Sequence, residues 1–195
     1  MPKRIVVIQG HPDPSEERFC RALAEAYAGA AEAAGHEVRV IDVARIEFPV
    51  LRSQQEFEEG VPVEPIRQAQ ESIAWANHLL VVYPLWMGAM PALLKAFFEQ
   101  VLRPGFGANM EAADTGWTKR LKGRSARIVV TMGMPAFFYR WYFRAHSLKN
   151  LKRNILGFCG VSPVRATLIG AVEALDDAGR QKWLKHLQEL GRAGV

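Results

Sequence analysis

Residues 78–98, HLLVVYPLWMGAMPALLKAFF, decide how the chain folds. From His78 to Pro84 runs a mostly apolar segment of strand length closed by proline, the pattern of a strand buried on both faces of a sheet. From Pro91, a favoured first residue of a helix, Leu94, Phe97, Phe98, Val101 and Leu102 fall on one stripe. On the opposite side Lys95, Glu99 and Gln100 are expected to face water. A buried strand followed by an amphipathic helix is half of a βαβ unit. Between the prolines stand Leu85, Trp86, Met87, Gly88, Ala89 and Met90, apolar residues in a loop that the prolines keep from becoming strand or helix.

The same alternation extends to both sides. RIVVIQG (4–10) is a short β-branched strand ending in Gly10, and Phe19, Leu23, Tyr27, Ala30 and Ala34 then mark a helix that stops at Gly35. EVRVIDV (37–43) alternates as a second strand, residues 44–65 form a long charged excursion with three prolines that could cover a site, and 64–77 is helical. Beyond the central unit, 103–123 is glycine-rich and irregular, 126–133 a strand, 141–158 helical, 162–170 a fifth strand, and 176–191 a closing helix. Five alternations predict one α/β domain over residues 1–195, an open parallel sheet with right-handed crossovers and helices on both faces.

Composition removes several classes of function. The N-terminal apolar run is too short for a signal-peptide core, and the chain has no apolar run of membrane-spanning length, so a cytoplasmic protein is expected. Cys20 and Cys159 make neither a disulfide framework nor a metal site and are expected reduced and buried, and the five histidines show no metal-ligand spacing. No G-x-S-x-G elbow argues for a serine hydrolase. The net charge of +5 comes from patches at 118–127 and from Arg140, Arg144, Lys149, Lys152 and Arg153. Such runs are mostly solvated faces, with attraction of a phosphate-bearing ligand, including selection of a 2′-phosphate near 118–127, as the functional alternative. No nucleic-acid-binding motif accompanies them.

In an open parallel sheet the ligand lies beyond the carboxyl ends of the strands, which singles out three loops. The first, GHPDPSEER (10–18), offers Gly10, His11, Ser15 and the start of a helix, a combination suited to a phosphate; alternatively Ser15 is only an N-cap and His11 only closes a strand. It is neither a P-loop nor a G-x-G-x-x-G turn. In the second, Pro84 to Met90, apolar walls and backbone polar groups match a flat aromatic ring such as a flavin isoalloxazine, with a dimer interface or ordinary core as alternatives. The third gives Thr131, Met132 and Gly133, followed by the aromatic run Phe137, Phe138, Tyr139, Trp141, Tyr142 and Phe143. There, Gly133 frees backbone amides and a tyrosine hydroxyl adds a donor toward a developing anion, with an ordinary core stripe as the alternative for the aromatic run.

The segments IVVIQGHPDP, VVYPLWMGAMPALLKAFFEQVL and IVVTMGMP followed by ILGFCGV, in this order, resemble the NAD(P)H:quinone oxidoreductase family of flavodoxin-like flavoproteins, over residues 4–175. That family includes short bacterial quinone reductases and ancillary subunits of glutathione-gated potassium efflux systems. The resemblance implies a flavodoxin-like, doubly wound sheet of strand order 2-1-3-4-5. It also implies FMN or FAD as cofactor, with FMN preferred, NAD(P)H as donor, a quinone as acceptor and a homodimer. His11 and Ser15 would hold flavin phosphate, with Phe19 at the helix start; Pro84, Leu85, Trp86 and Met87 would line the isoalloxazine; Thr131, Met132, Gly133 and Tyr139 would surround its N1–O2 side. Tyr139 and His146 would serve catalysis, the first stabilising negative charge on the reduced ring and the second relaying a proton. Docking on a membrane transporter is the alternative role the resemblance implies. Phe19-Cys20 stands where the family often has Phe-Asn, and Met134-Pro135 replaces a second glycine.

Overall fold

β1 (Arg4–Gln9) is buried at every residue after the first. Ile5 and Val7 point to one side of the sheet, Val6 and Ile8 to the other, so the strand is stable only where helices cover both faces. α1 (Phe19–Ala33) crosses one face and delivers the chain to β2 (Glu37–Asp42), which pairs parallel with β1 from Arg4↔Glu37 to Gln9↔Asp42. After a short α2 (Gln54–Glu59), α3 (Glu64–Trp75) leads into β3 (His78–Pro84), wholly buried and paired with the other edge of β1. There follow α4 (Ala92–Val101), a two-stranded antiparallel hairpin of β4 (Ala108–Met110) and β5 (Trp117–Lys119), and β6 (Ser125–Thr131). α5 (Ala136–Trp141), α6 (His146–Lys149) with a π-helical continuation Asn150–Leu156, β7 (Val164–Ile169) and α7 (Asp177–Ala193) complete the chain. The computed structural model describes residues 1–110 and 117–195.

The five-stranded sheet has the order β2-β1-β3-β6-β7 with every pair parallel, the expected 2-1-3-4-5 once the two hairpin strands are set aside. On one face Ile5, Val7, Leu80, Val82, Val129 and Ile169 meet Cys20, Leu23, Tyr27 and Leu187 of α1 and α7. These two helices cross so closely that a Cβ on Gly191 would lie 2.3 Å from the Tyr27 carbonyl oxygen. The other face buries Val6, Ile8, Leu79, Val81, Tyr83, Ile128 and Val130 beneath α3, α4 and residues 136–156.

Three expectations change. Gln100 does not face water: it is buried, its Nε2 donating to the Pro49 carbonyl and its Oε1 accepting from Arg103, each at 2.6 Å. Arg103 also donates to the Gly60 carbonyl at 2.6 Å, so the excursion after β2 is latched over the far side of α4. Residues 141–158 are not one helix, because Arg144 and Ala145 adopt φ of 50° and 49° and break the chain between α5 and α6. The irregular segment 103–123 carries the β4–β5 hairpin, and its residues 111–116 lie outside the described residues. The cations of 118–127 sit at the amino ends of the strands, where Lys119 and Lys122 flank Gly160, roughly 20 Å, one strand length, from the carboxyl-end loops.

Candidate functional site

From β1 the chain winds to β2 on one side, while β3 returns to the other side of β1. The loops after β1 and β3 therefore diverge and open a crevice at the carboxyl ends, where doubly wound sheets bind ligands. The first is anchored by the Gly10 N–H donating to the Val82 carbonyl at 2.8 Å, and a Cβ on Gly10 would meet Leu94 Cδ2 at 2.6 Å. Across the crevice, His11 meets Trp86 edge-to-face with ring centroids 5.8 Å apart. The structure thus brings together one candidate from each loop.

The first loop is organised by Asp13, a residue the sequence reading passed over. Its carboxylate accepts from the Ser15 N–H at 2.9 Å and from Arg18 Nε at 2.8 Å, and these bonds hold its pKa below the usual carboxylate range. The signal was local: an Asp two residues before Ser in a proline-flanked loop is an Asx turn. His11 accepts the Asp13 N–H at Nδ1 (3.1 Å), and burial lowers its pKa against the raising pull of Asp13. At neutral pH its proton therefore sits on Nε2, as a donor. Ser15 is not the N-cap of α1, which is Arg18, without a side-chain cap bond or an acidic residue in the first turn. Its hydroxyl instead accepts weakly from the Glu17 N–H at 3.4 Å. An uncapped helix start leaves N–H donors for an anion, and Gln9 Nε2, buried at the end of β1, has no partner among the described residues.

The second loop is a tight turn. Trp86 and Ala89 exchange backbone hydrogen bonds of 2.9 and 2.8 Å around Met87 and Gly88, at φ of 48° and 75°, the geometry of a type I′ turn. Leu85 N–H donates to the Thr131 carbonyl at 2.7 Å and ties the turn to β6. Pro84 is buried and Leu85 half-buried against the core, whereas Trp86 and Met87 stand exposed. A flat ligand would find two exposed apolar side chains here, on a backbone fixed at both ends.

The third loop holds fewer of its expected residues. Thr131 is buried with its hydroxyl 3.1 Å from Cys20 Sγ, turned toward α1, and burial pushes the Cys20 thiol up to about 12. Met132 is a core residue, so its side chain lines no crevice. Tyr139 is 1% exposed; its hydroxyl shares a 2.7 Å hydrogen bond with Ser147 and accepts the Leu148 N–H at 3.2 Å. That hydroxyl fastens the start of α6 and is not presented as a free donor, contrary to the role expected from sequence. His146, exposed at the head of α6, makes no side-chain hydrogen bond among the described residues. Phe19 is half-buried beneath Arg180, whose guanidinium lies 5.2 Å from its ring centroid, and packs as part of the α1–α7 face. Gly133 is different: no neighbour crowds it, Glu173 Oε1 lying 3.6 Å from where a Cβ would be. An exposed glycine that the protein's own packing does not require leaves room for close approach from outside.

An α/β sheet whose crevice opens at the switch point, with an anion-ready helix start on one side and an apolar turn on the other, defines a protein of the flavodoxin-like class. Residues 3–190 match the family model described as flavodoxin-like fold, and the chain belongs to that family. An uncharacterized NAD(P)H oxidoreductase of Haemophilus influenzae is 27% identical over 184 residues, 92% of this chain and 90% of its own. An FMN-dependent NADH:quinone oxidoreductase of Nitratidesulfovibrio vulgaris is 24% identical over 180 residues, covering 83% of this chain and 79% of its own. The solved NAD(P)H:quinone oxidoreductase from Methanothermobacter marburgensis superposes with a TM-score of 0.83 at 26% identity, over the full length of both chains.

Proposed function

We propose that this chain is a flavin-dependent NAD(P)H:quinone oxidoreductase, with FMN as the cofactor. The enzyme class follows the relatives, which are NAD(P)H and FMN-dependent NADH:quinone oxidoreductases. What carries the reading in this chain is the crevice itself: His11 against Trp86, with Met87 exposed on a turn held at positive φ. A bound flavin supplies a two-electron carrier, so that NAD(P)H, a proton and a quinone become NAD(P)⁺ and a hydroquinone.

The chain's own residues bind and orient. The uncapped start of α1, Gln9 Nε2, Ser15 and the Nε2–H of His11 form the donor set for a phosphate. Leu85, Trp86 and Met87 wall the ring, and Gly133 admits its edge to the backbone of the third loop. His146, solvent-accessible, is the proton donor for the departing product, positioned by the Tyr139–Ser147 bond next to it. FMN is favoured because a relative matched over most of both chains is FMN-dependent. Trp86 and Met87 are exposed on their turn, and we place a homodimer contact there, so that one apolar wall serves ring and partner subunit. We propose a cytoplasmic location. Among the described residues no helix is long and apolar enough to cross a membrane.

Reconstitution tests this. The purified protein mixed with FMN should turn yellow, quench tryptophan fluorescence with a 1:1 end point, and oxidise NADH or NADPH only when a benzoquinone is present. A protein that stays colourless after reconstitution, or consumes no reduced nicotinamide with any benzoquinone, would overturn the reading, and released FAD in place of FMN would overturn the cofactor choice.

A further inference from the structure

Between Asp114 and Glu173 the sequence contains no Asp or Glu but eleven Lys and Arg, while the remaining fourteen Lys and Arg against twenty Asp and Glu leave the rest of the chain at −6. The fold divides these cations: Lys119, Lys122, Lys152 and Arg153 cluster at the amino ends of the strands, whereas Arg140 and Arg144 follow the carboxyl end of β6, on and just after α5. On α5 and just after it, Trp141 is 82% exposed, Tyr142 72% and Phe137 69%. Arg140, Arg144 and Lys149 stand exposed among them, and none makes an ion pair among the described residues. The aromatic rings are fixed: Phe138 stacks on Tyr142 with centroids 5.0 Å apart and planes 5° from parallel, and Phe143 meets both edge-on. Beside them, Phe137, Trp141, Leu148 and Leu168 wall a cleft of about 350 Å³ with Arg140 at its rim.

We propose that this face is a docking surface for an anionic lipid membrane. Exposed Trp and Tyr beside Arg and Lys is the composition that settles at a bilayer's headgroup level, rings toward the acyl boundary and cations toward lipid phosphates. α5, α6 and the turn between them contain no carboxylate to repel anionic lipid. A second copy of the chain is a poor occupant, because a two-fold contact would bring Arg140 and Arg144 toward their own copies with no carboxylate of α5 or α6 to pair them. Nucleic acid is the less favoured polyanion, because two of the rings already stack on each other and present fewer free faces to bases. The cleft, with Phe137, Trp141, Leu148 and Leu168 in its walls and a guanidinium at its rim, offers contacts to both a lipid's polar head and the start of its acyl or isoprenoid chain. α5 follows directly from the third loop of the crevice, so docking places the mouth at the lipid boundary, where long-tailed quinones reside. That purpose rests on the proposed quinone reduction; the docking itself does not.

The test is co-sedimentation of the flavin-loaded protein with vesicles of phosphatidylcholine alone or mixed with phosphatidylglycerol. Binding is expected only to the mixed vesicles, weakening as salt rises, and falling by about tenfold or more in Arg140→Glu/Arg144→Glu and in Trp141→Ala/Tyr142→Ala. Circular dichroism should show both variants folded, since every substituted side chain is exposed. The charge-reversed variant should keep its rate with a short water-soluble benzoquinone and lose it with a long-tailed quinone embedded in vesicles. No binding of the wild type to mixed vesicles, or equal binding by both variants, overturns the proposal. So do tighter binding to single-stranded RNA than to vesicles, and conversion of a dimer to monomer by Trp141→Ala/Tyr142→Ala. A protein that binds vesicles yet reduces no quinone would keep the docking surface and sink the enzyme assignment.

Discussion

Met87 holds φ at 48° with a side chain wholly in solvent, a conformation that costs a residue other than glycine, asparagine or aspartate about 1 kcal/mol. Nothing in the chain's own packing repays it. Met87→Asn, which tolerates the left-handed region, should therefore raise the melting temperature by roughly 2–4 °C. If the methionine walls the ring, the same change should weaken FMN binding about fivefold, as read by tryptophan quenching. Stabilisation with unchanged FMN affinity would remove Met87 from the site. His78 is a second residue whose surroundings decide its behaviour. Burial, and after it Lys3, Arg127 and Arg165, push its pKa down to about 4, while Nδ1 bonds Ser125 at 2.7 Å. Because the folded state resists the proton and the unfolded state takes it near pH 6.5, stability is intact above that value and falls between about pH 6.5 and 4, by up to about 3 kcal/mol. Urea titrations across this range should show the decline in the wild type and a flatter profile in His78→Asn; parallel profiles would place the acid sensitivity elsewhere.

At the scale of elements, Tyr139 changes most between sequence and structure. Its position after the third loop suggested a donor to the ring, and the resemblance assigned it that part. In the fold, the break at Arg144 and Ala145 turns α6 back so that Ser147 and the Leu148 N–H take the hydroxyl. Tyr139→Phe should therefore cost about 1–3 kcal/mol by leaving a buried N–H unpaired, lowering the melting temperature while FMN absorbance and affinity stay as they were. An unchanged melting temperature with a large fall in kcat would restore the role read from sequence. Such a break is hard to read locally because Arg144 and Ala145 carry no turn signature. Gln100 was misplaced for a related reason: helical periodicity assigned it to water, but Pro49 and Gly60, dozens of residues away, fold over α4 and bury it with Arg103. What was legible were the strands, because a strand apolar on both faces leaves its record in consecutive residues. The Met87 turn was legible as a loop, and its type I′ geometry was not.

For the whole molecule, strand order follows from the alternation together with the family resemblance, but charge placement does not, since sequence neighbours can occupy opposite ends of a parallel sheet. By sequence alone the cations of 118–127 are candidate selectors of a 2′-phosphate. They enter β6 at its amino end, with Lys119 and Lys122 against Gly160, whereas the crevice lies at the carboxyl ends. A rigid strand of seven residues stands between, and screening over roughly 20 Å leaves little field at the crevice of the same subunit at physiological salt. Reversing both charges in Lys119→Glu/Lys122→Glu should therefore leave the ratio of kcat/KM for NADPH over NADH within about twofold of the wild type, each constant measured at saturating benzoquinone. A direct contact with a 2′-phosphate would behave otherwise. Losing a charge-assisted bond of about 1.5–3 kcal/mol would drop the NADPH value by tenfold or more and spare NADH. Because such a contact would have to come from a partner subunit's patch, that outcome would also locate the dimer interface at the amino ends of the strands and move it away from the Met87 turn.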